Sequence, residues 1–185
     1  MWENARDADP ADVQRGLVCV RKSARRVSSP DVTEISETVL AIRDAPSRLV
    51  LLVGPPGSGK SRHLRALSAE KGYPRVKINA ILSEELVRLP HRRRPLHVRQ
   101  ILSDLLEADE EDVVLVDNIE VLFLPELRQE PLQLLHELAR NRTLCVAWPG
   151  KVDPDGSLVY AEVGHAEHRR YQDHRTECIM MPGTL

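Results

Sequence analysis

One run of eight residues carries the clearest chemistry in this sequence: Gly54, Pro55, Pro56, Gly57, Ser58, Gly59, Lys60 and Ser61. The run matches the pattern G-x-x-x-x-G-K-[ST]. Its glycines allow backbone conformations in which several N–H groups point at phosphate oxygens. The lysine supplies positive charge for the β- and γ-phosphates, and the serine hydroxyl is a ligand for Mg²⁺. The run therefore predicts a site for ATP and Mg²⁺, and we include the adjacent Arg62 in it.

A second candidate is the acidic residue that ends an apolar run. Val113 to Val116 are all apolar, and Asp117 follows them. A carboxylate at the tip of a buried strand, downstream of a phosphate loop, is suited to hold Mg²⁺ through water. We therefore predict Ser61 and Asp117 as the metal-binding pair. The alternative for Asp117 is an ordinary helix-capping or turn residue.

The residues that would activate water are less clearly defined. Many hydrolytic proteins with this loop place a glutamate directly after the metal-binding aspartate. Here that residue is Asn118, which cannot act as a base. Glu120 lies two residues further on. We expect Asn118 to orient water or Glu120 to act as the catalytic base, and a solvated carboxylate is the alternative for Glu120.

Arginines that stabilise transition-state charge often come from a neighbouring subunit. Arg140 and Arg142 precede a predicted strand, and they are our candidates for this role. Arg169 and Arg170 form a second pair after the last predicted strand. A surface or structural role is the alternative for each. Trp148 ends the strand that follows Arg142, and we predict that it packs in the core instead of sensing nucleotide.

Two further clusters have weaker interpretations. The basic cluster comprises His91, Arg92, Arg93, Arg94, His97 and Arg99. It suits contacts to nucleic-acid phosphates or the lid of a small-molecule kinase, but a solvated loop is favoured. His165, Glu167 and His168 resemble metal-ligand spacing only loosely, and a chance cluster is favoured there.

Strands that alternate with helices must position these residues. Leu49 to Val53 is a continuous apolar run, which is typical of a strand buried on both faces of a parallel sheet. Further strands are predicted at 76–79, 113–116, 143–148 and 157–163, and helices at 31–43, 62–70, 83–89, 96–108 and 127–138. This alternation predicts a three-layer α/β fold with a parallel sheet.

Composition narrows the class of protein. The net charge of -2 argues against a uniformly basic coat for nucleic acid, and 3% aromatic residues imply an aliphatic core. The three cysteines form no C-x-x-C pair, so neither a disulfide framework nor a zinc site is indicated. No apolar run approaches the ~20 residues of a membrane-spanning helix. We expect a cytoplasmic protein with a basic extension at 1–30, a nucleotide-binding domain at 31–171 and a tail at 172–185.

Several segments beyond the phosphate loop resemble BrxF, a family of small P-loop proteins in type 3 BREX phage-defence systems. The resemblance covers about residues 31 to 171. Its most specific parts are the D-N-I-E-x-L-F stretch from Asp117, R-N-R-T from Arg140, W-x-G from Trp148 and Y-A-E from Tyr160. Asn79 with Leu82-Ser83, Pro131-Leu132 with Leu134-Leu135, and Gly164-His165 through Tyr171 extend it.

The resemblance implies an ATP-binding, AAA+-like component of an antiviral system that separates host from phage DNA. Its partners would be further copies of the chain, a large ATPase, a methyltransferase and DNA. The segment between Trp148 and the last predicted strand is too short for a full helix and a separate lid domain. We therefore expect a minimal AAA+-like core with weak ATP turnover on its own. The alternatives are a nucleotide-dependent assembly module that hydrolyses little, and a small-molecule kinase.

Overall fold

The computed structural model describes residues 30–108, 110–172 and 174–183. Residues 1–29 of the proposed extension at 1–30 lie outside these ranges. Seven strands run along the described chain: β1 (Leu49–Gly54), β2 (Arg75–Lys77), β3 (Val113–Asp117), β4 (Thr143–Val152), β5 (Leu158–Tyr160), β6 (Arg169–Tyr171) and β7 (Glu177–Met180). The α-helices are α1 (Val32–Ala41), α2 (Lys60–Lys71), α3 (Ile78–Val87), α4 (Arg94–Glu107) and α5 (Pro131–Leu138).

A parallel sheet in the order β2-β3-β4-β1-β7 forms the centre of the fold. Val53 of β1 lies opposite Trp148 of β4, so the two strands reach the same edge together. Parallel strands bring their carboxyl ends to one edge of a sheet, where ligands of such folds bind. The parallel α/β fold predicted from the sequence is confirmed.

Two aliphatic cores cover the two faces of the sheet. Strand residues alternate between the faces, so Leu49, Leu51 and Val53 join one core and Val50 and Leu52 join the other. Helices α3, α4 and α5 cover the first face, and α1 and α2 cover the second. The fold therefore has three layers. All five of these β1 residues are at most 1% exposed, which explains why the run contains no polar residue.

Beyond Pro149, β4 leaves the parallel sheet and pairs antiparallel with β5, which pairs with β6. This hairpin lies where the chain passes from β4 to β7. The Trp148 ring packs edge-on against Phe123, and Phe123 stacks on Tyr160 with ring centroids 3.5 Å apart. Trp148 is fully buried and donates its Nε1–H to the carbonyl of Val159 at 3.2 Å. Its predicted packing role is confirmed.

Several boundaries differ from the prediction, most clearly those of β2, α3 and α5. Ile78 and Asn79 begin α3 instead of ending β2, because Ile78, Leu82 and Leu86 recur at helical spacing and all face the core. Short 3-10 turns occupy Glu120–Phe123 and Pro125–Leu127, so α5 begins at Pro131 and not at residue 127. Proline at the first helical position explains that start.

Two strands were missed by the sequence analysis. β6 is three residues long and reads R-R-Y, so it carries no apolar pattern. β7 lies in the proposed tail at 172–185, yet it pairs in parallel with β1 from Glu177 to Met180. It is an edge strand in which only Ile179 is buried, so its sequence shows only a weak apolar pattern. The central sheet therefore extends further toward the C-terminus than the sequence indicated.

Candidate nucleotide-binding site

The phosphate loop joins the carboxyl end of β1 to the first turn of α2. Gly57 and Gly59 have φ values of 82° and 86°, in the left-handed region that favours glycine. Gly59 is the N-cap of α2, and Ser58 N–H donates to the Pro55 carbonyl at 3.2 Å. The loop therefore curls tightly at the positive end of α2, an arrangement that binds anions such as phosphate.

Lys60 is held inside this loop. It is 8% exposed, and its Nζ donates to the carbonyls of Gly54 at 2.6 Å and Pro55 at 2.7 Å. Burial lowers the pKa of Lys60, while the negative charges of Glu120 and Asp117 act on it in the opposite direction. The ammonium group is thus fixed at the mouth of the loop, with Glu120 and Asp117 as its acidic neighbours.

The two predicted metal ligands lie side by side. Ser61 Oγ donates to Asp117 Oδ1 at 2.9 Å, although 56 residues separate them in the sequence. Asp117 is 3% exposed at the carboxyl end of β3, and the Asn118 N–H also donates to its Oδ1, at 3.1 Å. A hydroxyl and a carboxylate next to a phosphate loop are the hard oxygen donors that Mg²⁺ prefers. These residues therefore fit the predicted metal.

Asn118 and Glu120 follow Asp117 on the same edge. Asn118 is exposed, has a φ of 57° and accepts a backbone hydrogen bond from Asn79 N–H at 3.0 Å. Glu120 is exposed and begins a 3-10 turn. The structure thus brings both candidate water-activating residues to the edge that carries Lys60, Ser61 and Asp117.

Arg75 also belongs to this site, although no sequence motif marks it. Its Nη1 lies 3.4 Å from Asp117 Oδ2, and the two side chains are 19% and 4% exposed. Arg75 lies on β2, in the register position opposite Leu115. The signal needed to find it is the pairing of β2 with β3, which a sequence pattern does not provide.

A family profile matches this part of the chain. Residues 50–145 match the family described as "ATPase family associated with various cellular activities (AAA)", which is more than half of the 185 residues. The chain belongs to the AAA family of ATPases. Membership of the AAA family implies that the loop binds ATP.

Solved structures of AAA+ proteins are similar to the chain at low identity. For C. elegans PCH-2 the identity is 17% and the TM-score 0.44, over 82% of this chain and 42% of that one. For AMPPCP-bound DnaA from Aquifex aeolicus the values are 14% and 0.40, over 80% and 44%. For domain III of DnaA, the replication initiation protein of Thermotoga maritima, they are 14% and 0.40, over 85% and 65%. The chain therefore spans less than two thirds of each of these chains. No curated protein matches it.

The candidate arginines of this AAA domain lie at the opposite edge of the sheet. Arg140 and Arg142 precede Thr143, the first residue of β4, whereas the phosphate loop follows the carboxyl end of the neighbouring β1. The six residues of β1, which pair with this part of β4, span roughly 16 Å between the two edges. Arg140 is exposed, and Arg142 donates from Nη1 to the carbonyl of Leu106. Within one chain, neither arginine is near Lys60.

Arg170 and Arg99, which belong to the other charged segments, form their ion pairs away from Lys60 and Asp117. Arg170 pairs with Asp153 and Asp155 in the hairpin region. Arg99 pairs with Glu137. Across the described ranges, no group of three or more His, Cys, Asp or Glu residues is arranged to hold a metal ion. The chance-cluster interpretation of His165, Glu167 and His168 stays a prediction. None of the helices described is long and apolar enough to cross a membrane.

The segment after β7 packs against the start of the phosphate loop. Met181 N–H donates to the Val53 carbonyl at 2.7 Å, and Met181 is 2% exposed. A side chain at Gly54 would come within 2.6 Å of the Met181 carbonyl oxygen. Gly54 is therefore required by this close approach, and the C-terminal residues help to fix the first turn of the loop.

Proposed function

We propose that the chain binds ATP as its magnesium complex and hydrolyses it slowly. The hydrogen bond between Ser61 and Asp117, next to the buried Lys60, is the observation that carries the proposal. The backbone of residues 54 to 61, including Pro56, and the adjacent Arg62 surround the phosphates. Lys60 supplies charge to them, and Ser61 and Asp117 hold the metal. Bound Mg²⁺ neutralises phosphate charge and orients the triphosphate.

Slow hydrolysis follows from what one chain brings to the site. Glu120 is the proposed base, because its charge acts on Lys60 and it lies on the same edge. Asn118 orients water but cannot accept a proton. Phosphoryl transfer depends on positioning and on charge stabilisation, so a site without an arginine on the transferred phosphate turns over slowly, and Arg75 is paired with Asp117 instead. Arg140 or Arg142 of a second copy supplies this charge in the proposed mechanism.

We further propose that the protein acts in a BREX-type antiviral defence system. The D-N-I-E-x-L-F stretch that resembles BrxF includes Asp117, Asn118 and Glu120, and its last residues form a 3-10 turn. The W-x-G and Y-A-E segments lie on β4 and at the end of β5. The proposed partners are further copies of this chain, a large ATPase, a methyltransferase and the DNA on which they act.

The domain boundaries belong to the same proposal. It comprises a basic extension over the first 30 residues, a nucleotide-binding domain whose main part is residues 31–171, and a tail at 172–185 that contributes β7 to the sheet of that domain. Since β7 belongs to the central sheet, removal of residues 172–185 would also remove a strand that pairs with β1. A shortened chain for experiments should therefore extend at its C-terminal end at least to residue 183.

Fluorescence titration with a labelled ATP analogue tests binding directly. We expect Lys60→Ala to abolish saturable binding, whereas Lys71→Ala should bind like the wild type. Lys71 ends the same helix and lies roughly 16 Å further along it. Equal affinities for the two variants would contradict the proposed site.

A nucleotide-dependent assembly module with little hydrolysis is the second candidate. Asn118 supports it, since its side chain cannot replace the missing base. Single-turnover hydrolysis by the wild type and by Glu120→Gln separates the two functions. A rate that falls in Glu120→Gln supports the ATPase, and equal rates near zero support the module.

Mass measurement in solution tests assembly. The wild type and Lys60→Ala are compared with and without ATP and Mg²⁺. We expect an oligomer that forms with nucleotide in the wild type and is lost in Lys60→Ala. A monomer under every condition would remove the basis for a second copy as the arginine donor.

A further inference from the structure

Arg75 and Asp117 form a buried ion pair in the candidate site. Among the ion pairs of the described residues, it alone has both side chains less than one fifth exposed, at 19% and 4%. A buried charge is costly unless it is paired, so this arginine compensates the carboxylate. Arg75 therefore stabilises a buried carboxylate by pairing with it.

Strand register places this arginine beside the metal-binding aspartate. Arg75 lies opposite Leu115, whose side chain is on the same face as that of Asp117 because alternate residues of a strand share a face. Asp117 Oδ2 faces the Arg75 guanidinium, while Oδ1 accepts from Ser61 and from the Asn118 N–H. Both oxygens of the carboxylate are thus held, and its orientation is fixed before any ligand arrives.

We propose that Arg75 makes metal binding conditional on nucleotide. Its charge neutralises Asp117 in the nucleotide-free protein, so a divalent cation gains little there alone. A triphosphate brings enough negative charge to offset both the guanidinium and the metal. Arg75 is thus a positioning residue that acts through Asp117. The inference rests on the proposed function, because it requires ATP and Mg²⁺ at Ser61 and Asp117.

Arg75 should affect metal binding and nucleotide binding in opposite directions, because the metal is positively charged and the nucleotide is negatively charged. A guanidinium a few ångströms from a divalent cation lowers its affinity on the order of tenfold, even with solvent-like screening. The same charge favours ATP that carries no metal. Removal of Arg75 should therefore strengthen metal binding in the absence of nucleotide and weaken nucleotide binding in the absence of metal.

Manganese is a suitable probe for the first effect, because it accepts the same oxygen ligands as Mg²⁺ and can be followed by electron paramagnetic resonance. The wild type without nucleotide should bind Mn²⁺ weakly. Arg75→Gln should bind it on the order of tenfold more tightly, and Arg75→Lys should resemble the wild type because the charge remains. Arg43→Gln is the matched control, since Arg43 pairs with Asp112 before the amino end of β3.

Labelled ATP in the presence of EDTA tests the second effect on the same variants. Arg75→Gln should bind it several-fold more weakly than the wild type and Arg43→Gln. A disturbed fold would weaken both Mn²⁺ and ATP binding, so parallel losses overturn the inference, as does unchanged Mn²⁺ affinity in Arg75→Gln. If the wild type binds no ATP with Mg²⁺ present, the proposed function itself fails, which is a different outcome.

Discussion

Asn79 donates its backbone N–H to the backbone carbonyl of Asn118 at 3.0 Å, and this bond ties the first turn of α3 to the residue after Asp117. Asn118 lies in the left-handed region, with a φ of 57°. Asparagine adopts that conformation more readily than most residues other than glycine. The backbone therefore helps to explain why asparagine, and not glutamate, follows the metal-binding aspartate.

Substitutions at Asn118 test this explanation. Asn118→Gly should preserve stability, because glycine accepts the left-handed backbone. Asn118→Glu should lower the free energy of unfolding by about 1 kcal/mol, because the left-handed backbone strains it. It should raise the rate of ATP hydrolysis little, because Glu120 already supplies the proposed base. Urea unfolding and single-turnover hydrolysis provide the two measurements. A Glu variant with full stability and a large gain in rate would show that chemistry alone determines this position.

Gly150 provides a test of the hairpin that follows Trp148. An added Cβ would lie 2.0 Å from the Val159 carbonyl oxygen, which also accepts the Trp148 Nε1–H. Gly150→Ala must therefore push β4 and β5 apart, and we expect a loss of about 2 kcal/mol or more in the free energy of unfolding. The near-ultraviolet circular dichroism of Trp148 should change with it.

Gly156→Ala is the control for this variant. Gly156 lies in the turn between the same two strands, with φ 85° and no atom near an added Cβ. Its substitution should cost about 1 kcal/mol through backbone strain and leave the Trp148 signal unchanged. If Gly150→Ala proves no more harmful than Gly156→Ala, the close approach of β4 and β5 is wrong.

Alkaline pH should destabilise the protein through its buried thiols. Burial raises the pKa of Cys145 to about 12 from an ordinary value of 9.0. In the unfolded chain the thiol loses its proton near pH 9, whereas the folded protein retains it. The contribution is therefore complete below pH 9 and is lost as pH rises toward 12, by up to about 1.4 kcal/mol per pH unit.

The free energy of unfolding measured from pH 8 to 11 checks this prediction. Cys145→Ala should show a shallower decline than the wild type above pH 9, although it is less stable at pH 8 because of the cavity. Cys178, with a pKa also raised to about 12, should leave part of the slope in place. Parallel curves for the wild type and Cys145→Ala would exclude the thiol as the cause.

The central fold was predictable because its signals are local. The apolar runs of β1, β3 and β4 are long enough to indicate buried strands, and the phosphate loop is marked by its own residues. Ile78 illustrates the limit. The sequence analysis assigned it to a strand, although its spacing with Leu82 and Leu86 is helical. Where a short strand leads directly into a helix, the sequence shows both a strand pattern and a helical spacing. Only the packing of the side chains decides which applies to the residue between them.

Features that depend on strand order were not predictable. Arg75 is one of many arginines, and it becomes distinctive only when β2 pairs with β3 and places it against Asp117. β7 has a weak apolar pattern, since it is an edge strand, and its place beside β1 depends on the path of the whole chain. For Arg140 and Arg142, the sequence identified candidates, but only the parallel sheet shows that they lie at the edge away from Lys60.

We expect Arg140 to act on the site of a neighbouring copy. Its exposed position at the amino end of β4 lies roughly 16 Å from the phosphate loop of its own chain. We expect Arg140→Ala to bind ATP normally and to lose about tenfold or more in hydrolysis rate in the assembled state. Arg43→Ala, which removes another exposed arginine from this edge, should retain the rate.

Mixing two inactive variants distinguishes a trans-acting Arg140 from a structural one. Lys60→Ala cannot bind ATP but still offers Arg140, whereas Arg140→Ala binds ATP but lacks the arginine. In a random head-to-tail assembly, about a quarter of the interfaces would join an intact phosphate loop to an intact Arg140. Activity should therefore reappear on mixing, although each variant alone is inactive. A mixture in which mass measurement shows that the two variants assemble together, but which stays as inactive as its components, would exclude Arg140. The same experiment with Arg142→Ala would then test the remaining candidate.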